Sequence, residues 1–132
     1  MALAAAALVP EVKLCAPIYP FLSDLQSVLD MDLNKNAYEG FYWFFKKCDP
    51  NHKDAGKYME RMGYIDIQNL ACSVKAKVLW QMGLMDDQCP PSTQFATYSK
   101  LCSPKSIILY PEHTHELIYF ANDEICRFFE ET

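Results

Sequence analysis

Two short stretches of this chain hold the residue types that proton-transfer chemistry needs. Gly83-Leu-Met-Asp86-Asp87-Gln-Cys-Pro-Pro-Ser-Thr93 carries a pair of carboxylates, and Tyr110-Pro-Glu-His113-Thr-His115-Glu116 carries two imidazoles. A carboxylate that accepts a hydrogen bond from one imidazole nitrogen fixes the tautomer. The other nitrogen is then set to take a proton from a nucleophile. Histidine suits the task because its unperturbed pKa, roughly 6.5, lies near neutrality. Each residue also has an ordinary reading. An Asp after a strand is a common turn residue or helix cap, and Asp87 fits that description. A lone His in a loop is more often a solvated side chain than a catalyst.

The elements that position these stretches are legible as an alternation of strands and helices. An Ala-rich opening, Met1-Ala-Leu-Ala-Ala-Ala-Ala-Leu8, reads as a helix, since Ala and Leu are the strongest helix formers. Residues 12–16 form a short apolar run ended by Pro17 and Pro20. A more polar, mostly helical region follows from about 23 to 63, with Phe41, Phe44 and Phe45 on one helical face and a break at Asp49-Pro50-Asn51. Residues 77–82 read as a second strand stopped by Gly83, and residues 106–110 as a third stopped by Pro111. Between them, Ser92 offers an N-cap for a helix through Phe95, Ala96, Tyr98 and Leu101. A last amphipathic helix is predicted over about 117–130, with Ile118, Ala121, Ile125 and Phe129 as its inner stripe.

Apolar strands alternating with helices predict an α/β fold with three parallel strands and flanking helices. In such folds, functional residues sit just past the carboxyl ends of the strands. That rule puts one carboxylate and one imidazole at the same sheet edge. Acid before histidine along the chain is also the order of α/β-hydrolases, in which a serine comes first.

Composition narrows the alternatives. Of the 132 residues, 51% are hydrophobic, enough for a real core, and they fit a single domain spanning 1–132. The net charge is −5 and the basic residues are scattered, which argues against a nucleic-acid surface and against a polybasic membrane patch. No apolar run approaches the roughly 20 residues that span a bilayer. The opening segment lacks the positive start and small-residue cleavage pattern of a signal peptide. Cys15, Cys48, Cys72, Cys89, Cys102 and Cys126 show no C-x-x-C spacing and are too sparse for a disulfide scaffold, so they read as small buried hydrophobes of a reduced, cytoplasmic protein.

Four blocks of the chain, taken in order, resemble the acetyl xylan esterase / cephalosporin-C deacetylase family. They are Tyr19-Pro-Phe-Leu-Ser-Asp24, Gly63-Tyr-Ile-Asp-Ile-Gln-Asn-Leu-Ala71, the run from Gly83 to Tyr98, and Tyr110 to Glu116. The Gly83 to Tyr98 block is the most specific. The resemblance implies the C-terminal portion of an α/β-hydrolase with a helical insertion at about 23–63, members that assemble into oligomers, and no metal or organic cofactor. It implies removal of acetyl groups from acetylated xylo-oligosaccharides or cephalosporin C. Carried over by position, Asp86 is the triad acid and His115 the general base. His115 is preferred to His113 because the family pattern has His directly followed by Glu, as in His115-Glu116. The chain departs nearby, with Leu117 where a glycine often follows that pair.

The nucleophile is not found: no G-x-S-x-G motif occurs in the sequence. In the resembled family such a turn directly precedes a helix like Ala2 to Leu8. Ser23, Ser92 and Ser103 lie in turn or cap contexts, and Cys89 reads as structural. A metal site from His113, His115 and a nearby Cys has no usable ligand spacing. Two functions follow. The chain is either the part of a serine esterase, a carboxylic-ester hydrolase, that supplies acid and base and is inactive alone, or a non-catalytic truncated paralogue or interaction module that uses residues 23–63. A first strand left as an apolar edge predicts a marginal chain that associates through it.

Overall fold

The computed structural model describes residues 1–32 and 36–130. Three parallel strands, β1 (Leu14–Cys15), β2 (Lys77–Gly83) and β3 (Lys105–Tyr110), form a sheet in the order β1-β2-β3. β2 pairs with β3 from Val78–Lys105 to Gly83–Tyr110 without a break in register. All but the first residue of β2 are buried, as expected of a central strand covered on both faces.

Alternation along β2 sorts its side chains to the two faces. Val78, Trp80 and Met82 enter one core with Leu3 and Ala6 of α1 (Ala2–Leu8), Cys15, Ile67, Ala71, Val74, Ala76 and Leu101. The Trp80 indole N–H donates to Gln94 Oε1 at 3.3 Å on α5 (Pro91–Lys100), which fixes that helix to this face. Gln81 points the other way. It is completely buried, its amide donates to the Ala121 carbonyl at 3.3 Å, and its oxygen accepts from the Tyr110 hydroxyl at 2.6 Å. One buried glutamine therefore ties β2 to β3 and to α6 (Ala121–Glu130).

The polar region between β1 and β2 forms α2 (Leu25–Asp30), α3 (Glu39–Cys48) and α4 (Ala55–Met62). Leu25, Val28 and Tyr38 make a second core, with Leu22, Phe41, Met59 and Met62 packed against it. The aromatic face expected on α3 is only partly inward: Phe45 is buried, while Phe41 and Phe44 are half-buried. Asp66 anchors α2 from far along the chain. Its carboxylate accepts from the backbone N–H groups of Asp24 at 3.1 Å and Leu25 at 2.8 Å, groups that a helix start leaves without partners. Ser23, fully buried, shares a hydrogen bond with the Thr97 hydroxyl and donates to the Thr93 carbonyl. The segment so pinned is strained: Tyr19, Leu22 and Asp24 have φ of 46°, 61° and 52°. Each such non-glycine residue costs on the order of 1 kcal/mol, compensated here by the bonds that Ser23 and Asp66 make.

Four expectations need correction. The cap of α5 is Pro90, not Ser92, because Pro91 takes the first helical position and forces an extended residue before it. Leu101 is the C-cap rather than part of the helix. α6 starts at Ala121, and its inner stripe runs through Ala121, Ile125 and Phe128, leaving Phe129 exposed at 48%. Cys15 and Cys89 are buried, but Cys48, Cys72, Cys102 and Cys126 are exposed free thiols. β1 is an edge strand as expected, yet it pairs over two residues only and its Cys15 is buried in the core. The largest exposed apolar side chains near the site lie elsewhere, at Leu117, Tyr119 and Phe120.

Candidate active site

β2 and β3 end side by side, and the loops that leave them are joined by their backbones. The Leu84 N–H donates to the Tyr110 carbonyl at 3.0 Å and the Met85 N–H to the His113 carbonyl at 3.1 Å. Gly83 makes this approach possible. A Cβ there would overlap the His113 carbonyl oxygen and lie 3.0 Å from the Thr114 carbonyl oxygen. The glycine is needed for space, since its φ is not positive.

The joined loops bring Asp86 and His115 together. His115 Nδ1 lies 2.9 Å from Asp86 Oδ2, and the Asp86 side chain is wholly buried. A carboxylate only accepts, so Nδ1 carries the proton and Nε2 is left as the basic nitrogen. The other carboxylate oxygen, Oδ1, accepts from the backbone N–H groups of Gln88 at 2.9 Å and Cys89 at 2.8 Å. Three donors thus hold Asp86, which satisfies a buried charge and fixes its orientation. The His115 ring packs against Tyr19, with centroids 4.9 Å apart and planes tilted by 42°. Burial, then the neighbouring charges of Asp86 and Glu116, push the Tyr19 phenol up to about 12. It therefore stays neutral beside the imidazole at neutral pH.

The remaining candidates take other roles. His113 turns to Glu116, with Nδ1 to Oε1 at 3.1 Å, and contributes its carbonyl rather than its ring to the loop pairing. The Ser23 hydroxyl is committed to Thr93 and Thr97, and Ser92 lies within α5. Cys89 is buried, and burial followed by the Asp86 charge pushes its thiol up to about 12, so it is not an activated nucleophile. Sequence spacing did not foresee that Asp86, Cys89 and His115 place ligand atoms within 4.8 Å of one another. The set suits a metal poorly: the thiol resists ionisation and each carboxylate oxygen already accepts a hydrogen bond. Tyr19 and Gln81 were not singled out from their types. The one signal for Gln81 was a lone amide inside an apolar strand.

A family model described as acetyl xylan esterase (AXE1) matches residues 1–132. The chain belongs to the acetyl xylan esterase family. Acetyl xylan esterase 1 from Thermoanaerobacterium sp. JW/SL YS485 is 44% identical and superimposes with a TM-score of 0.94, covering 98% of this chain and 41% of that one. The acetyl xylan esterase from Paenibacillus sp. R4 is 35% identical, with the same TM-score and coverage. Among curated proteins, acetyl esterase Axe7A from Xylanibacter ruminicola is 28% identical over 115 residues, which is 87% of this chain and 24% of that protein. The chain therefore spans less than half the length of these relatives. Its sheet and helices are a portion of the family's α/β-hydrolase fold. No described helix is long and apolar enough to cross a membrane.

Proposed function

We propose that this chain is the C-terminal part of a serine esterase that removes acetyl groups from acetylated xylo-oligosaccharides or cephalosporin C. It supplies the triad acid, Asp86, and the general base, His115, and is inactive without a nucleophile from outside these residues. The observation that carries this reading is the 2.9 Å contact between His115 Nδ1 and the buried Asp86 carboxylate at the carboxyl edge of the sheet. Membership of the family and the acetyl esterase relatives support the substrate class. In the reaction, His115 Nε2 takes the proton of a serine as its oxygen attacks the acetyl carbonyl. The same nitrogen then protonates the leaving sugar oxygen. Water, deprotonated in turn, releases acetate and restores the serine. Asp86 stabilises the imidazolium at both stages. No cofactor enters this scheme. Residues 23–63 are read as a helical insertion of a single partial domain, and the protein as cytoplasmic.

The test is complementation. The chain alone should not hydrolyse p-nitrophenyl acetate, whereas the chain refolded with the portion of the Thermoanaerobacterium esterase that it does not cover should. If His115→Ala in that complex keeps full activity, the assignment of the base is wrong.

A second reading, a non-catalytic interaction module, is favoured by exposed aromatics. Tyr42 and Trp43 on α3 are 41% and 45% exposed, and Leu117, Tyr119 and Phe120 beside the site are 73%, 82% and 73% exposed. Clustered exposed apolar side chains mark surfaces that associate. Association with copies of itself is the form this reading takes, and sedimentation velocity of wild type against Tyr119→Asp/Phe120→Asp tests it. A monomer in both would remove the support.

A further inference from the structure

Away from the site, at the opposite edge of the sheet, two exposed thiols meet. Cys72 lies in the turn that leads into β2, and Cys102 lies in the connection from α5 to β3. Both point at one atom: the Cys72 thiol donates to the Lys100 carbonyl at 3.2 Å and the Cys102 thiol to the same oxygen at 3.6 Å. With both sulfurs gathered on one oxygen, Cys102 is the neighbour that most raises the pKa of Cys72. Lys75 and Lys100 act in the other direction on Cys72, adding positive charge that favours a thiolate.

The surrounding backbone holds this pair in place. Ala71 and Val74, on either side of Cys72, are 2% and 1% exposed, and Leu101, next to Cys102, is 4% exposed. All three belong to the main core. The two cysteine backbones are therefore held in register by packed neighbours, leaving only side-chain rotation free. By contrast, Cys48 and Cys126 are exposed with no thiol partner among the described residues.

We propose that Cys72 and Cys102 are a redox modification site, a dithiol that closes to a disulfide with a small-molecule disulfide such as oxidised glutathione as the oxidant. One thiolate attacks the glutathione disulfide, forming a mixed disulfide and expelling a glutathione thiolate. The second protein thiolate then attacks the mixed disulfide at the protein sulfur and expels the other glutathione. The two cysteines lose two electrons and two protons, and oxidised glutathione becomes two reduced molecules. The bond closes a loop containing β2 and α5, joining the start of β2 to the start of β3. Because Asp86 and His115 lie at the far ends of those strands, the bond stabilises the fold without touching the site.

The full chain is incubated with oxidised glutathione at neutral pH, digested with trypsin without reduction, and mapped by mass spectrometry. The expected product is peptide 62–75 linked to peptide 101–105, two hydrogens lighter than the pair, forming without a persistent glutathione adduct on either residue. Cys48 and Cys126 should instead carry glutathione. The oxidised chain should melt at a higher temperature, and reduction should reverse the shift. Cys72→Ser should leave glutathione on Cys102. Stable glutathione adducts on both Cys72 and Cys102 of the wild-type chain, or cross-links distributed among all exposed cysteines, would overturn the proposal.

Discussion

Replacing Gly83 with alanine tests whether the loop that carries His115 is held by backbone packing against the end of β2. The new Cβ would overlap the His113 carbonyl oxygen, with the carbonyl carbon at 2.9 Å and the Thr114 oxygen at 3.0 Å. These are backbone atoms, so no rotamer change relieves the clash and the 113–114 peptide must move. That peptide accepts the Met85 N–H at 3.1 Å, a bond that movement breaks. Overpacking of a tight site costs about 1–3 kcal/mol. A lost hydrogen bond adds about 1 kcal/mol. The expected loss of stability is about 2–4 kcal/mol, read from urea denaturation, provided the transition has a single step. Since His115 follows two residues after the displaced carbonyl, its ring should also move away from Asp86, and the imidazole nitrogen signals in NMR should lose the Nδ1–H tautomer signature. Gly56→Ala is the control. Nothing lies within 4 Å of the Cβ it would add, and it sits in α4, so it should stabilise by about 0.5–1 kcal/mol. A Gly83→Ala chain as stable as wild type, with His115 signals unchanged, would refute the idea that this contact positions the base.

Asp86→Asn keeps the side-chain shape and the bonds from Gln88 and Cys89 but presents an amide N–H to His115 Nδ1, which selects the wrong tautomer. In the complemented esterase, kcat should fall roughly 10^4-fold, the size of the effect of the same change in a serine protease triad, with KM little altered. Thiol chemistry separates the cysteines: iodoacetamide at pH 8 should label Cys48 and Cys126 and spare Cys89, whose thiol is both buried and pushed up to about 12. The raised folded-state pKa also fixes a sign. Below the ordinary thiol value of 9.0 the full stability is present, and it should decline as pH rises from 9 towards 12, while the unfolded chain loses its proton first. A stability plateau through pH 11 in urea denaturation would contradict the burial of this thiol. On α6, Phe128→Ala should cost about 3 kcal/mol or more, and Phe129→Ala much less, because only Phe128 is buried.

Much of this was legible because the decisive signals are local. Three apolar runs bounded by Gly83, Pro17 and Pro111 mark three strands, and the rule that function gathers past their carboxyl ends puts Asp86 and His115 at one edge before any coordinates are known. What escaped depends on phase or on distant partners. For α6, the series 118, 121, 125, 129 and the series 121, 125, 128 both fit a helical stripe. The choice between them depends on the helix starting at Ala121, which the preceding turn decides and no propensity reveals. Ser92 is a good capping residue placed one step too late, because Pro90-Pro91 sets the boundary first. Tyr19 reaches His115 only through a left-handed backbone that its residue type disfavours. The meeting of Cys72 and Cys102 depends on tertiary packing between segments 30 positions apart in sequence.

The strained run from Tyr19 to Asp24 bears on how the site fluctuates. Three residues in the left-handed region give this segment a ready alternative: on release, each relaxes to an ordinary backbone conformation. Its retention depends on a few bonds to distant elements: the Tyr19 N–H donating to the Gln81 carbonyl of β2 at 3.1 Å, those of Ser23 with α5 and of Asp66 with the start of α2, and the Ile67 N–H donating to the Leu22 carbonyl at 2.9 Å. Such a segment is a natural first unit to open below the global unfolding free energy, with amide hydrogens that exchange ahead of those in β2. Opening would lift the Tyr19 ring from one side of the already half-exposed His115 imidazole. The Tyr19 ring contact therefore persists only while a six-residue strap stays closed, whereas the bond from His115 to Asp86 rests on the paired loops at the ends of β2 and β3.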